Sequence, residues 1–306
     1  MRNPFSKKKD QGLEVGTSRS MIEPAFYLLP FLLGLIIFTL YPFVNAFVIS
    51  LKENYVLMSG KYSSLGLGNY AEIFADPDFA NALQTTAVYV LIVVPVATVL
   101  SLIIATLLNE KIKFKGFFQT AYFMPMVTAV MAVGLVWKWL YNYDYGLFNY
   151  FLSFFGVDPI NWLNNPAYNL AALIIFGIWK MMPLTIILLL AGLQNINPQY
   201  YTAARVDGAK PLRIFFRITI PLLAPTLGLT MIVNTISASM VFVELFPLFN
   251  GKPGSAYSLY TIVYYLYDMF YTQWEFGLAA ATSVVLFGIV LVLTTLQILI
   301  QRKWQH

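Results

Sequence analysis

The 306-residue sequence has no cysteine and a single histidine, at its last position. The first absence excludes disulfides, a thiolate nucleophile and any Cys-ligated metal. The second leaves no imidazole for a catalytic pair or a metal cluster, since His306 at a chain end reads as part of a solvated tail. Charge is scarce too. Asp, Glu, Lys and Arg make up 11% of the chain, against about 25% in an average soluble domain. Apolar mass stands in its place: hydrophobic residues reach 59%, aromatics 17%, and mean hydropathy is +0.69. That composition belongs to a membrane protein with many water-lipid boundaries, where Trp and Tyr settle. There is no G-x-x-x-x-G-K-[ST] phosphate loop and no H-E-x-x-H pair, so neither nucleotide hydrolysis nor zinc chemistry is expected of this chain. No catalytic residue, cofactor or metal is assigned. No cleaved signal peptide is expected either. The apolar stretch after Lys7-Lys8-Lys9 is too long for a signal core, and no small-residue cleavage site closes it.

A helix needs about 20 apolar residues to cross a bilayer. Six stretches qualify: Ala25–Ser50, Ala82–Leu108, Phe117–Tyr141, Tyr168–Leu193, Pro221–Phe249 and Phe276–Ile300. Pro42, Pro95, Pro125 and Pro183 lie inside them, which neighbouring helices make tolerable. The expectation is an all-α membrane protein of six transmembrane helices. Residues 1–24 form a basic tail, 25–301 the membrane domain and 302–306 a second tail.

Lys and Arg placement gives the orientation. Fourteen of the nineteen basic residues fall on one side: in the N-terminal tail, the second-to-third loop, the fourth-to-fifth loop and the C-terminal tail. Only Lys52, Lys61 and Lys252 fall on the other, while Lys138 and Lys180 lie within spans. Both termini are therefore expected in the cytoplasm. Eight acidic residues, among them Glu53, Asp76, Asp144 and Asp268, lie on the opposite side.

The loop from residue 194 to 220 carries the most information. Asn197 suits a helix N-cap, Pro198 the first helical position and Gly208 a left-handed stop. Pro211 then opens a second helix that runs to Pro221 and the next span. Ala203 and Ala204 offer a small-residue surface, with Tyr200, Tyr201 and Val206 as apolar anchors. Physically such a segment suits two roles: an amphipathic loop lying on anionic lipid, or a helix projecting toward a partner.

The pattern Thr202-Ala203-Ala204, then Gly208, Ile218 and Ile220-Pro221, with Asp207-Gly208-Ala209 inside it, resembles the EAA signature of ABC importer permeases. The usual Glu of that signature is Thr202 here, which puts in doubt any polar contact the Glu makes. An ordered series along nearly the whole chain resembles the carbohydrate-uptake, maltose-type branch. It includes Tyr27-Leu28-Leu29-Pro30, Tyr41-Pro42, Gly68-Asn69-Tyr70, Asp76-Pro77, Trp139-Leu140-Tyr141, Trp162-Leu163 and Leu190-Ala191-Gly192-Leu193-Gln194. Gly251-Lys252-Pro253 sits where that branch has G-G-P.

The resemblance implies a type I ABC importer permease fold with a cytoplasmic coupling helix, in a bacterial cell membrane. It implies a second, different permease subunit, two cytoplasmic ATPase subunits that hydrolyse ATP, an extracytoplasmic solute-binding protein, and a sugar or oligosaccharide as cargo. Membrane lipid surrounds the chain, and no nucleic acid is involved. Tyr201, Thr202, Ala203, Ala204, Arg205, Asp207, Gly208 and Ala209 would then contact an ATPase.

Charges within spans cost several kcal/mol unless paired or hydrated (about 2.5–3.5 at the helix centre), and count as functional candidates. Lys180 lies in the fourth span and Glu244 toward the outer part of the fifth. They flank a substrate pathway, as a pair or separately, with Trp179, Asn234, Tyr264 and Tyr265 adding aromatic faces and hydrogen-bonding groups. The plainer alternatives are that Lys180 meets carbonyls or a partner's carboxylate and that Glu244 snorkels to the interface. Lys138, between Trp137 and Trp139, reads as an interface anchor. The rival function is a self-sufficient secondary transporter, which calls for paired repeats with broken helices, and none is evident.

Overall fold

In a computed structural model, residues 22–110 and 113–305 are described. The basic tail up to residue 21, Lys111 and His306 lie outside the described residues. The chain divides into two compact units, residues 1–48 and 49–306. The first holds α1 (Ile22–Leu35), which continues through a π turn (Ile36–Leu40) into α2 (Tyr41–Ser50), whose last two residues belong to the second unit. The wide turn lies just before Pro42, which has no N–H to donate back into the helix. In the most apolar window of the stretch from Phe26 to Ser50 no residue is buried within the chain, while Ser50 at its end is buried.

The second unit opens with an antiparallel pair, β1 (Lys52–Glu53) and β2 (Ser64–Leu65), with Lys52 opposite Leu65. Helices follow: α3 (Gly68–Ala75), α4 (Pro77–Asn109), α5 (Lys115–Val127), α6 (Val130–Leu140), α7 (Leu147–Ser153) and α8 (Pro166–Gln194). Then come α9 (Pro198–Val206), α10 (Pro211–Ile214), a π turn (Phe215–Thr219), α11 (Ile220–Ser239), α12 (Leu245–Phe249), α13 (Ile262–Tyr271) and α14 (Phe276–Gln305). Among the described residues five helical stretches are long and apolar enough to span, and α5 with α6 makes a sixth if the bent pair counts as one span.

Helix starts are written in the sequence. Asp76, Asn165 and Asn197 each precede a proline, and each side chain accepts the backbone N–H two residues on, at 2.8, 3.1 and 2.9 Å. The proline fills the first helical position, where no intrahelical N–H is needed.

Three expected boundaries need correction. The stretch Phe117–Tyr141 is not one helix: α5 and α6 meet at 107° across Thr128 and Ala129. Pro125 has already removed a backbone bond in the last turn of α5, and the Thr128 hydroxyl donates to the Met124 carbonyl at 2.8 Å, satisfying an end group of the broken helix. The stretch Pro221–Phe249 ends early, at Ser239. Its unbroken apolar character hides the stop, because the freed backbone groups find side chains instead. Phe242 N–H donates to the Glu244 carboxylate at 3.1 Å, and the Thr261 hydroxyl donates to the Val241 carbonyl at 3.0 Å. Finally, Pro211–Ile220 is no separate helix. It runs through the π turn into α11, whose wide turn accommodates Pro221.

α4 packs along α8, α11 joins both, and α14 packs on α11 and α13. Lipid tails are as apolar as leucine, so this packing depends on close contact rather than on escape from water. Gly177 and Gly192 on α8 provide it. A Cβ at Gly177 would strike the Tyr89 hydroxyl, and one at Gly192 would lie 2.7 Å from Leu223 and Thr226. The unit has two cores. One, at the end of the spans bearing the acidic loops, gathers Tyr89, Trp137, Tyr141, Phe176, Leu245 and Tyr265. The other, at the basic end, gathers Leu102, Leu108, Ile186, Leu189, Leu193 and Leu223. Between them buried Thr98, Thr185 and Asn234 form a polar knot: Asn234 Nδ2 donates to Thr185 at 3.1 Å and to Thr98 at 3.3 Å.

Candidate functional site

Two sites emerge. Midway along α8 (Pro166–Gln194) Lys180 meets Glu244 from the turn after α11, and their side chains form a salt bridge. The turn exists because α11 stops at Ser239. Five residues on, Glu244 lies beside α8 with its second oxygen held by Phe242 N–H. The Glu244 side chain is 10% exposed, while Lys180 keeps 37%, so the pair is enclosed from the carboxylate side and open on the ammonium side. Opposite charges in contact offset part of the cost that a lone charge within a span carries. Lys180 also lines a cavity of about 230 Å³ at the α5–α6 bend, with Trp179, Phe176 and Pro125. The Trp179 ring lies 5.3 Å from that of Trp137.

The structure therefore brings Trp179, Lys180 and Glu244 together, with Tyr264 one ring away through Phe242 at 6.1 Å. The Tyr264 hydroxyl donates to the Gly251 carbonyl at 3.1 Å. Asn234 lies apart, in the polar knot. Tyr265 is turned away: it is 1% exposed, and its hydroxyl donates to Asp76 at 2.7 Å, where α4 begins. Burial pushes the Tyr265 phenol well above its usual range, and the bond to Asp76 adds to this. Lys138 donates to the Asn250 amide oxygen at 2.6 Å rather than anchoring alone.

At the basic end α9 projects between α8 and α10. Its far end is closed at Gly208, whose φ of +73° suits glycine, and Ala209 N–H donates to the Ala204 carbonyl at 2.9 Å. The helix has two faces. Ala204 is buried, and Tyr201 packs on the basic-end core, its hydroxyl accepting from Thr219 at 3.3 Å. Thr202, Ala203, Arg205, Asp207 and Gly208 are exposed, as are Tyr200 at 55% and Val206 at 83%. Thr202 donates to the Pro198 carbonyl at 3.3 Å, so it closes on its own helix. Tyr200, Tyr201 and Val206, alike in sequence as apolar anchors, thus divide: Tyr201 roots the helix and the other two face outward. Sequence reasoning missed the short helix α12 and the asparagines around it, Asn142, Asn161 and Asn250. Their only signal is that amides cluster in acidic-end loops.

Comparison with known proteins fits this geometry. Residues 97–306 match the family described as "Binding-protein-dependent transport system inner membrane component". The trehalose/maltose transport system permease protein of Thermococcus litoralis is 34% identical over 275 residues, covering 90% of this chain and 92% of that protein. The lactose transport system permease protein of Rhizobium radiobacter is 33% identical over 297 residues, covering 94% and 98%. Among solved structures, a bacterial ABC transporter that imports the acidic polysaccharide alginate superposes with a TM-score of 0.77, at 23% identity, over 93% of this chain and 96% of that one. Its fold is shared: the type I importer permease. The chain belongs to the binding-protein-dependent transport system inner membrane components.

Proposed function

We propose that this permease moves a sugar or oligosaccharide into the cell, powered by ATP hydrolysed on two separate cytoplasmic subunits. The observation that carries the reading is α9: a short helix fixed at both ends, rooted in the core by Tyr201, and offering Tyr200, Ala203 and Val206 outward. An exposed apolar helix face of this kind fits a groove on a partner. The ATPases take α9 there, at residues 201–209, and both termini lie on that cytoplasmic side, as the excess of Lys and Arg supports. A solute-binding protein docks at the acidic end. A second, different permease completes the pathway, which passes Trp179, Lys180, Glu244 and Tyr264, with Asn234 deeper in. The sugar assignment leans on the trehalose/maltose, lactose and arabinooligosaccharide systems named for its relatives.

The test is purification of the intact importer from its membrane in mild detergent, with ATP hydrolysis and sugar uptake measured after reconstitution. Gly208→Pro is the matched variant, because proline cannot adopt φ near +73°. Co-purification of an ATPase and ATP-dependent uptake, both lost in the variant, is the expected result. A chain that purifies alone and moves solute without ATP overturns the reading.

A further inference from the structure

At the acidic end, the last turn of α6, the 141–145 turn, the 161–164 loop and the segment 249–257 enclose a cavity of about 670 Å³. That is the size of a small-ligand site, and its chemistry is unusual for a membrane chain. Four asparagines line it, and the amide oxygens of three of them are already engaged. Asn142 Oδ1 accepts from Asp144 and Tyr145 N–H at 2.9 and 3.2 Å. Asn161 Oδ1 accepts from Asn164 N–H at 3.2 Å, and Asn250 Oδ1 accepts from Lys138 at 2.6 Å. Because each oxygen faces a donor, each amide is oriented, and its NH₂ group is left for a ligand. Lys138 and Lys252 add further N–H donors. Tyr143 and Tyr257, 47% and 68% exposed, supply rings on the same wall. The wall itself is held in a costly shape: Asn250, Ala256 and Tyr257 have φ of +58°, +51° and +57°, and strain of this kind gathers at ligand clamps.

We infer that this cavity is a receiving site for one end of an oligosaccharide. A fixed set of N–H donors, with the Asp144 carboxylate on the same wall to accept from hydroxyls, beside aromatic faces suits a ligand dense in hydroxyl and ring oxygens. The inference rests on the sugar-importer reading. It adds a station on the acidic side of α12, distinct from the Lys180–Glu244 pair. Glu244 precedes α12 and Asn250 follows it, so a sugar bound at one end of this five-residue helix touches the element whose other end is tied to α8.

The experiment uses the whole importer in nanodiscs, without binding protein, and saturation-transfer NMR with maltotriose, lactose and arabinotriose as probes. Uptake with binding protein is measured on the same variants in proteoliposomes. Asn142→Asp combined with Asn250→Asp keeps the accepting oxygens and removes the NH₂ donors. Asn164→Trp fills the cavity from its exposed rim without touching those bonds. The expected result is transfer to at least one transported sugar, cut about fivefold or more by both changes, with the half-saturating concentration of binding protein unchanged. Transfer that survives both changes overturns the inference while leaving sugar import intact. So does unchanged transfer with weaker binding-protein stimulation, which marks the cavity as a protein-docking surface. If the wild type takes up and contacts no sugar, this inference and the proposed function fall together.

Discussion

The two cores of the membrane unit are built on different principles. The acidic-end core is aromatic and bonded in specific directions. Tyr141 stacks on Phe148 at 5.0 Å and donates to the Ala172 carbonyl at 2.8 Å. Asn149 Oδ1 accepts from the Trp162 indole at 3.0 Å and from Ile160 N–H at 3.1 Å. Ile262 N–H donates to Thr86 at 3.0 Å. The basic-end core is nearly all Leu, Ile and Ala, and the bond from Thr219 to Tyr201 ties it to α9. Hydrogen bonds and stacked rings hold one geometry, whereas aliphatic surfaces slide past one another by small shears at little cost. A permease needs both: an end that keeps its shape for an arriving solute and an end that follows a moving partner.

The sharpest way to break this contrast is to remove the charged contact between Lys180 and Glu244. Glu244→Ala leaves the Lys180 ammonium within a span and frees the turn that Phe242 N–H closes. Uptake should fall about tenfold or more, and folded yield should drop. The stability loss should be about 1–3 kcal/mol, below that of a fully enclosed pair, because Lys180 keeps 37% of its side-chain surface. Lys180→Met with Glu244→Leu should recover the yield, measured by size-exclusion of the extracted protein. A double variant as poor as the single one would show that the turn, not the charge, is at stake.

At the basic end the matching change is Tyr201→Ala. If the aliphatic core transmits motion through this ring, ATP hydrolysis should persist while uptake falls several-fold to about tenfold. Tyr201→Phe, which removes only the bond from Thr219, should cost a factor of about two to ten. Parallel assays of hydrolysis and uptake decide it, and equal losses of both in Tyr201→Ala would mean that the ring merely holds α9 in place.

Much of this architecture was legible in the sequence, and the remainder failed for a physical reason. Asn197, Pro198 and Gly208 mark the ends of α9 because capping and a left-handed stop need particular residue types. Long apolar runs mark spans because lipid demands them. Pro125 stood in the sequence but did not by itself announce the sharp bend at Thr128, since spanning helices tolerate proline; the stop at Ser239 left no mark, since the groups that satisfy its broken end come from elsewhere, as Thr261 does for Val241. For the site, charge within a span singled out Lys180 and Glu244, and the structure pairs them. Tyr264 and Tyr265 are neighbours in sequence, yet one lines the outer cavity and the other is bound to Asp76. Helix facing separates them, and composition cannot.

Between the cores, the polar knot tests whether the boundary itself contributes. Asn234→Leu removes the amide's hydrogen bonds to Thr98 and Thr185 but leaves those hydroxyls with their own-helix carbonyls, Val94 and Met181, at 2.7 and 2.9 Å. The loss should be modest, about 1 kcal/mol, read as a small fall in the thermal midpoint of the detergent-extracted complex. A larger loss would make the knot a structural centre in its own right.

The smallest effect belongs to the hairpin before α3, where the acidic end meets water. Glu53 accepts from the Ser64 hydroxyl and from Gly68 N–H, the latter at 2.9 Å. The bond from Ser64, then that from Gly68, holds its carboxyl below the ordinary 4.5. The sign follows from linkage. A depressed carboxylate adds stability that is fully present above 4.5 and fades as the pH falls through the lowered value. Amide exchange in residues 54–63, referenced to α9 in the same sample, should therefore show protection at neutral pH that weakens as the pH falls below 4.5. Glu53→Gln should flatten that dependence. Gly66→Ala should mimic it at neutral pH, since its Cβ would sit 2.7 Å from the Glu53 carboxylate and push it off its partners. If Gly66→Ala loosens the hairpin while Glu53→Gln leaves the pH dependence intact, the backbone turn, not the carboxylate, is what closes this end.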